Sequence, residues 1–233
     1  MIEKVFKTTN GELKVIIPTR LDEITLGQLM ALQENPDLND LEAISILSGI
    51  SIEQLQNVRA MDDIQAFAGA VLSLSHQIVH LYNSDAIPKK VDFIIDNKSK
   101  RVKVLQNLSV EPAGAFMAAK EVIADEVNNY LKQYGPDDFE ARFKPSLKAC
   151  CNILAYYFYC TVTGNPYNEY ETEHFAEEIK KLRVTEALPI AKHFFTCYPN
   201  LSKPKISYLH RLLPRWRKKR EFNHLKSLNI STP

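Results

Sequence analysis

Phe6-Lys7-Thr8-Thr9-Asn10-Gly11-Glu12-Leu13-Lys14-Val15-Ile16-Ile17 and, 87 residues later, Phe93-Ile94-Ile95-Asp96-Asn97-Lys98-Ser99-Lys100-Arg101-Val102-Lys103-Val104 are the two stretches on which the fold turns. In the first, the extended runs Lys4 to Lys7 and Leu13 to Ile17 flank Asn10-Gly11. That dipeptide readily takes the two positive-φ positions of a type I′ turn. In the second, Val91 to Ile95 and Arg101 to Leu105 flank Asp96-Asn97-Lys98-Ser99. Both stretches predict antiparallel hairpins. Pro18 ends the first, because proline cannot continue a ladder.

The same shift of 87 pairs Leu21 with Leu108, Gly27 with Gly114, Met30 with Met117 and Ala31 with Ala118. The register therefore holds from strand through turn into the following helix start, as a degenerate internal repeat. In the first copy the helix start is a capping box. Thr25 can cap the amide of Gln28 while Gln28 reaches back to Thr25, and Ile24 and Leu29 can close over them as a hydrophobic staple. In the second copy Pro112 stands opposite Thr25, and proline suits a first helical turn.

Between the hairpins, a helix from Thr25 stops before Asn35-Pro36 and a second spans about Asp40 to Ser48, ending at Gly49. Ser51 and Gln54 repeat the box, with Ile50 and Leu55 as staple. A longer helix over about Asp62 to Tyr82 has the stripe Ile64, Phe67, Val71, Leu72, Ile78 and Val79. After Pro112, Phe116, Ile123, Val127, Tyr130, Leu131 and Tyr134 define another helix, ended by Gly135-Pro136. The next, from near Pro145 to Thr163, is apolar almost all round, which places it at the buried centre of the second unit. Two more are expected over Tyr170 to Arg183 and Glu186 to Cys197, the last interrupted by Pro189. The predicted class is α+β and predominantly α-helical. Two pseudo-repeated units, 1–87 and 88–202, are each a hairpin followed by helices, and a basic C-terminal arm covers 203–233.

That arm is where the charge is uneven. The whole chain carries 29 basic and 28 acidic residues, yet 203–233 holds nine basic residues and one acid, Glu221. An acidic body and a basic extension result. No apolar run reaches the ~18 residues of a spanning helix, and Met1-Ile2-Glu3-Lys4 is not a signal peptide. Cys150, Cys151, Cys160 and Cys197 form no C-x-x-C pair, and three of them lie in an apolar stretch, so a reduced cytoplasmic compartment is expected.

Residues that could carry chemistry are sparse. His76 and His80 have the spacing of a two-histidine metal face, but no further ligand joins them at ligand spacing. Glu171, Glu173, Glu177 and Glu178 read as the solvated face of a helix whose other side is Tyr170, Phe175, Ile179 and Leu182. Cys–His catalysis needs an accessible thiol in a polar setting, and the four thiols read as buried. The glycines are scattered singly, with no phosphate loop. The expectation is a protein without catalytic residues, cofactor or metal. Interaction is expected at Arg215, Trp216, Arg217, Lys218, Lys219, Arg220 and Phe222, where cations are mixed with two aromatics. Such a segment can dock on an acidic protein surface, including a copy of this chain, or hold nucleic-acid phosphates, or serve as a solvated tail.

Leu21-Asp22-Glu23-Ile24-Thr25-Leu26-Gly27-Gln28 followed by Ile46-Leu47-Ser48-Gly49-Ile50-Ser51 resembles a group of bacteriophage morphogenesis proteins. They occur among tail-gene products of phages of Bacteroides-like hosts, including crAss-like phages. The resemblance covers the first ~80 residues best. In its helical, non-enzymatic character it extends to tail assembly chaperones. It implies a structural or assembly component, with tail or connector proteins or copies of itself as partners. Its location would be the virion, or the host cytoplasm during assembly.

Overall fold

The computed structural model describes residues 1–198 apart from 10, 36, 60, 79–85 and 136–138. Both hairpins are present. Strands β1 (Ile2–Thr8) and β2 (Gly11–Ile17) pair with Lys4 opposite Val15 and Phe6 opposite Leu13. Strands β3 (Lys90–Ile95) and β4 (Lys98–Lys103) pair with Val91 opposite Val102 and Phe93 opposite Lys100. Adding 87 to the first ladder reproduces the second pair for pair. Each hairpin buries one face, Phe6, Val15 and Ile17 in the first and Val91, Phe93 and Val102 in the second.

The turns differ from expectation in one respect. Asp96 and Asn97, at φ 50° and 60°, are the left-handed pair of the second hairpin. In the first, Gly11 is not at the turn centre: it pairs with Thr8 inside the ladder, at φ 133°. The expected and observed registers differ by two residues and bury the same face. At the observed turn the chain is tied to a distant segment, with the Arg59 N–H donating to the Lys7 carbonyl (3.0 Å) and the Thr9 N–H to the Asn57 carbonyl (3.2 Å).

Each hairpin leads through a 3₁₀ turn, Leu21–Glu23 or Leu108–Val110, into a helix: α1 (Leu26–Glu34) or α5 (Ala113–Tyr134). At α1 the capping box forms in full. The Gln28 N–H donates to Thr25 Oγ1 (3.2 Å), and the Thr25 N–H donates to Gln28 Oε1 (2.9 Å). Gln28 Nε2 then donates to the Leu47 carbonyl at 2.9 Å, tying the start of α1 to the end of α2 (Asp40–Ser48). A second full box, Asn39 with Glu42, starts α2, and Gly49 at φ 72° ends it. Ser51 caps the short α3 (Ile52–Gln56), but only its half of the expected box is formed. Among the described side chains of α4 (Met61–Ile78), Phe67, Ala70 and Leu74 are buried and Leu72 is turned outward; Val79 lies outside the described residues.

A short α6 (Phe139–Arg142) precedes α7 (Leu147–Thr163), α8 (Glu169–Lys180) and α9 (Val184–Cys197). Contrary to expectation, α9 runs unbroken through Pro189. The ring removes one backbone bond, but Leu188, Pro189, Ile190 and Ala191 are all buried, and that packing holds the helix together. Tyr170, expected on the apolar side of α8, is exposed, while Phe175, Ile179 and Leu182 are buried as read.

Helix α7 lies at the centre, packed on α5, α8 and α9 and touching α1 and β4. Its Phe158 meets Phe93 with ring centroids 5.0 Å apart; in the first half the equivalent Phe6 meets Phe67 at 5.5 Å. One hydrophobic core contains the buried residues of both halves, and the described residues belong to a single compact unit, Met1–Ser202. A short antiparallel bridge joins the halves: Leu26 N–H donates to the Leu182 carbonyl (2.8 Å), and Val184 N–H to the Ile24 carbonyl (2.9 Å). At Gly27 an added Cβ would stand 3.0 Å from Lys180 Cβ, and at Gly114 it would stand 2.5 Å from the Tyr167 ring. The repeated glycine therefore serves close approach in both halves.

Candidate interaction site

Arg215, Trp216, Arg217, Lys218, Lys219, Arg220 and Phe222 all lie outside the described residues, as does His80. His76 is exposed on the last turn of α4. On α8 the glutamates form the expected solvated face, with Glu177 bonded to Lys180 (2.7 Å) and Glu178 to Lys181 (2.6 Å). Among the described residues no group of three or more His, Cys, Asp or Glu side chains is placed to hold a metal ion.

The cysteines need a correction. Cys150 and Cys151 are buried, and burial pushes both thiols up, Cys151 to about 11. Cys197, however, is exposed, on the last turn of α9 where the packed face of the helix ends. Its Sγ lies 3.3 Å from His193 Nδ1, and His193 Nε2 is 3.2 Å from the Gln106 carbonyl. That carbonyl can only accept, so Nε2–H donates to it, and in a neutral imidazole Nδ1 is then the acceptor that faces the thiol. The H-x-x-x-C spacing on a helix was the available signal.

What sequence reading missed on the body is where its negative charge sits. From 21 to 58 there are seven carboxylates and no Lys, Arg or His. The other residues up to 202 carry twenty acids and twenty bases, so the whole excess of the body falls in this one segment, which folds as α1, α2 and α3. Two of its carboxylates are in ion pairs, Asp22 with Arg20 (2.7 Å) and Glu23 with the ammonium of Met1 (2.8 Å), and Glu42 accepts the Asn39 N–H in its capping box (2.9 Å). Among the described residues Glu34, Asp37, Asp40, Glu42 and Glu53 have no cation within ion-pair distance.

A cleft of about 410 Å³ opens on this segment, lined by the α1–α2 connection, α2 and the start of α3. Leu38, Ile46 and Ile52 supply its apolar wall, and Asp37 and Glu42 supply its charge. Ser45, also on the wall, donates to the Ile50 carbonyl at 2.6 Å and so fixes the α2–α3 turn beneath it. Ile52 is 37% exposed although its neighbour Leu55 is fully buried. An apolar wall beside uncompensated carboxylates suits a cationic side chain with an apolar stem or an adjacent aromatic.

The β3–β4 hairpin has the opposite character. Lys90, Lys98, Lys100, Arg101 and Lys103 are all exposed, and Arg101 is held on Asp92 at 2.6 Å. Lys100 also donates to the Val162 carbonyl at the end of α7.

No protein-family model, curated protein or solved structure matches the chain.

Proposed function

We propose that this chain is a non-enzymatic assembly or structural protein that works by docking on other protein subunits. The observation that carries this reading is the division of charge. The folded part concentrates its negative excess in the α1–α3 lobe, and 203–233 concentrates cations around Trp216 and Phe222. Such complementary patches steer and orient association between subunits. The resemblance to bacteriophage tail morphogenesis proteins supports the same reading and narrows it to the tail or connector region, as a virion component or a tail assembly chaperone. The residues that carry it, Leu21 to Gln28 and Ile46 to Ser51, form the start of α1 and the α2–α3 turn. The test is mass spectrometry of washed particles together with affinity capture using the full chain. Presence in particles indicates a structural component. Capture of tail or connector proteins without presence in particles indicates a chaperone. Absence from particles together with capture of no tail or connector protein overturns the reading.

A second reading is favoured by the cations themselves: an accessory protein that binds nucleic acid through Arg215, Arg217, Lys218, Lys219 and Arg220, with Trp216 and Phe222 stacking on bases. It requires binding that falls steeply with salt and collapses when those five residues are neutralised.

A further inference from the structure

We infer that the cleft lined by the α1–α2 connection, α2 and α3 is a receptor for a basic, aromatic-bearing peptide segment, and that the segment it takes is 203–233 of a second copy of this chain. The inference rests on the docking function proposed above and assigns that function a surface. Its first ground is charge. The lobe from 21 to 58 carries seven acids and no base, while 203–233 carries nine bases and one acid, so net charges of −7 and +8 are available to face each other between copies.

The second ground is the cleft itself. Leu38, Ile46 and Ile52 offer an apolar wall in a space of about 410 Å³, large enough for one aromatic side chain and an arginine stem. Asp37 and Glu42 stand on that wall without a cation among the described residues. Trp216 lies between Arg215 and Arg217, so an anchor seated on Ile46 and Ile52 would bring a guanidinium on either side within reach of carboxylates. Another cleft among the described residues, on α5 beside Tyr167, carries Lys120 together with Glu121 and Glu169, so its charge is not all of one sign.

Sedimentation velocity of the full chain in 50 and 500 mM salt tests the inference. Wild type should self-associate at low salt, with a dissociation constant at least tenfold weaker at high salt. In one variant Asp37→Lys reverses charge on the cleft wall, and Glu34→Lys, three residues before it at the end of α1, adds to it; neither touches a helix cap. Replacing Arg215, Arg217, Lys218, Lys219 and Arg220 by Glu alters the segment. Each variant alone should weaken association at least tenfold at 50 mM salt, with an unchanged circular dichroism spectrum and melting temperature. Mixing the two should restore it, since each then meets an opposite charge in the other. A Trp216→Ala chain should lose at least tenfold at both salt concentrations. The inference is overturned if wild type is monomeric at 50 mM salt, or if the cleft variant associates as wild type does. Should either of these occur while wild type still captures tail or connector proteins, only the surface is wrong; should wild type capture none of them either, the docking function falls as well.

Discussion

Glu111 stands in the second half where Ile24 stands in the first, and the backbone is the same at both: each N–H donates at 3.2 Å, to Leu21 or Leu108, to close the 3₁₀ turn. Ile24 is fully buried. Glu111 is half-buried, and removal from water alone pushes its carboxyl up to about 7 from 4.5. The sign follows from that rise. Below pH 4.5 the group is protonated whether the chain is folded or not, and it costs nothing. Between 4.5 and 7 only the unfolded chain releases the proton, so folding is progressively penalised. Above 7 the penalty is constant. The full rise would correspond to about 3.4 kcal/mol at ~1.36 kcal/mol per pH unit, and solvent around a half-exposed carboxyl reduces it to about 1–2 kcal/mol. Glu111→Gln should therefore stabilise the protein by about 1–2 kcal/mol at pH 8 and by about nothing at pH 4. Urea unfolding followed by circular dichroism across that range measures it. A gain of equal size at both pH values, or none at pH 8, would refute the reasoning.

Three further substitutions probe the frame. Gln28→Glu keeps the acceptor for the Thr25 N–H but loses the donor to Leu47, leaving a carboxylate against a carbonyl; it should cost about 1–2 kcal/mol in urea unfolding at pH 8 and less at pH 4. Gly27→Ala pushes a methyl group onto the Lys180 backbone and Cβ, whereas Gly69→Ala meets nothing within 4 Å on the outer face of α4. The first should lower stability by about 1–3 kcal/mol and the second raise it by up to about 1 kcal/mol, so melting temperatures should move in opposite directions. The Tyr157 hydroxyl accepts from the Leu105 N–H (2.5 Å) and donates to the Leu105 carbonyl (2.7 Å). Tyr157→Phe should cost about 1–3 kcal/mol, with faster hydrogen exchange concentrated in the 104–108 connection.

Local devices were legible because their chemistry lies within a few residues. The Thr25–Gln28 box, the αL stop at Gly49 and the break before Asn35-Pro36 each need only neighbours in sequence, and each is found as read. The candidate site was half legible. The cation–aromatic run at Arg215 to Phe222 stands out by composition alone. The cleft did not, because Leu38, Ile46 and Ile52 belong to different elements and only the turn at Gly49 brings them onto one wall. Cys197 was misread as buried because composition cannot say which turn of an apolar helix lies beyond the packed face.

From sequence alone came the class of the fold, the two hairpins with their shared offset, and the split into an acidic folded part and a cationic end. Those depend on periodicity, turn residues and charge counts, which act over short range or simply add. Tertiary packing decided the rest: that both halves share a core around α7 and that α9 passes through Pro189. In the second, a local cost of about 3 kcal/mol, that of a proline inside a helix, is set against apolar surface removed from water by distant residues, and the larger burial term wins.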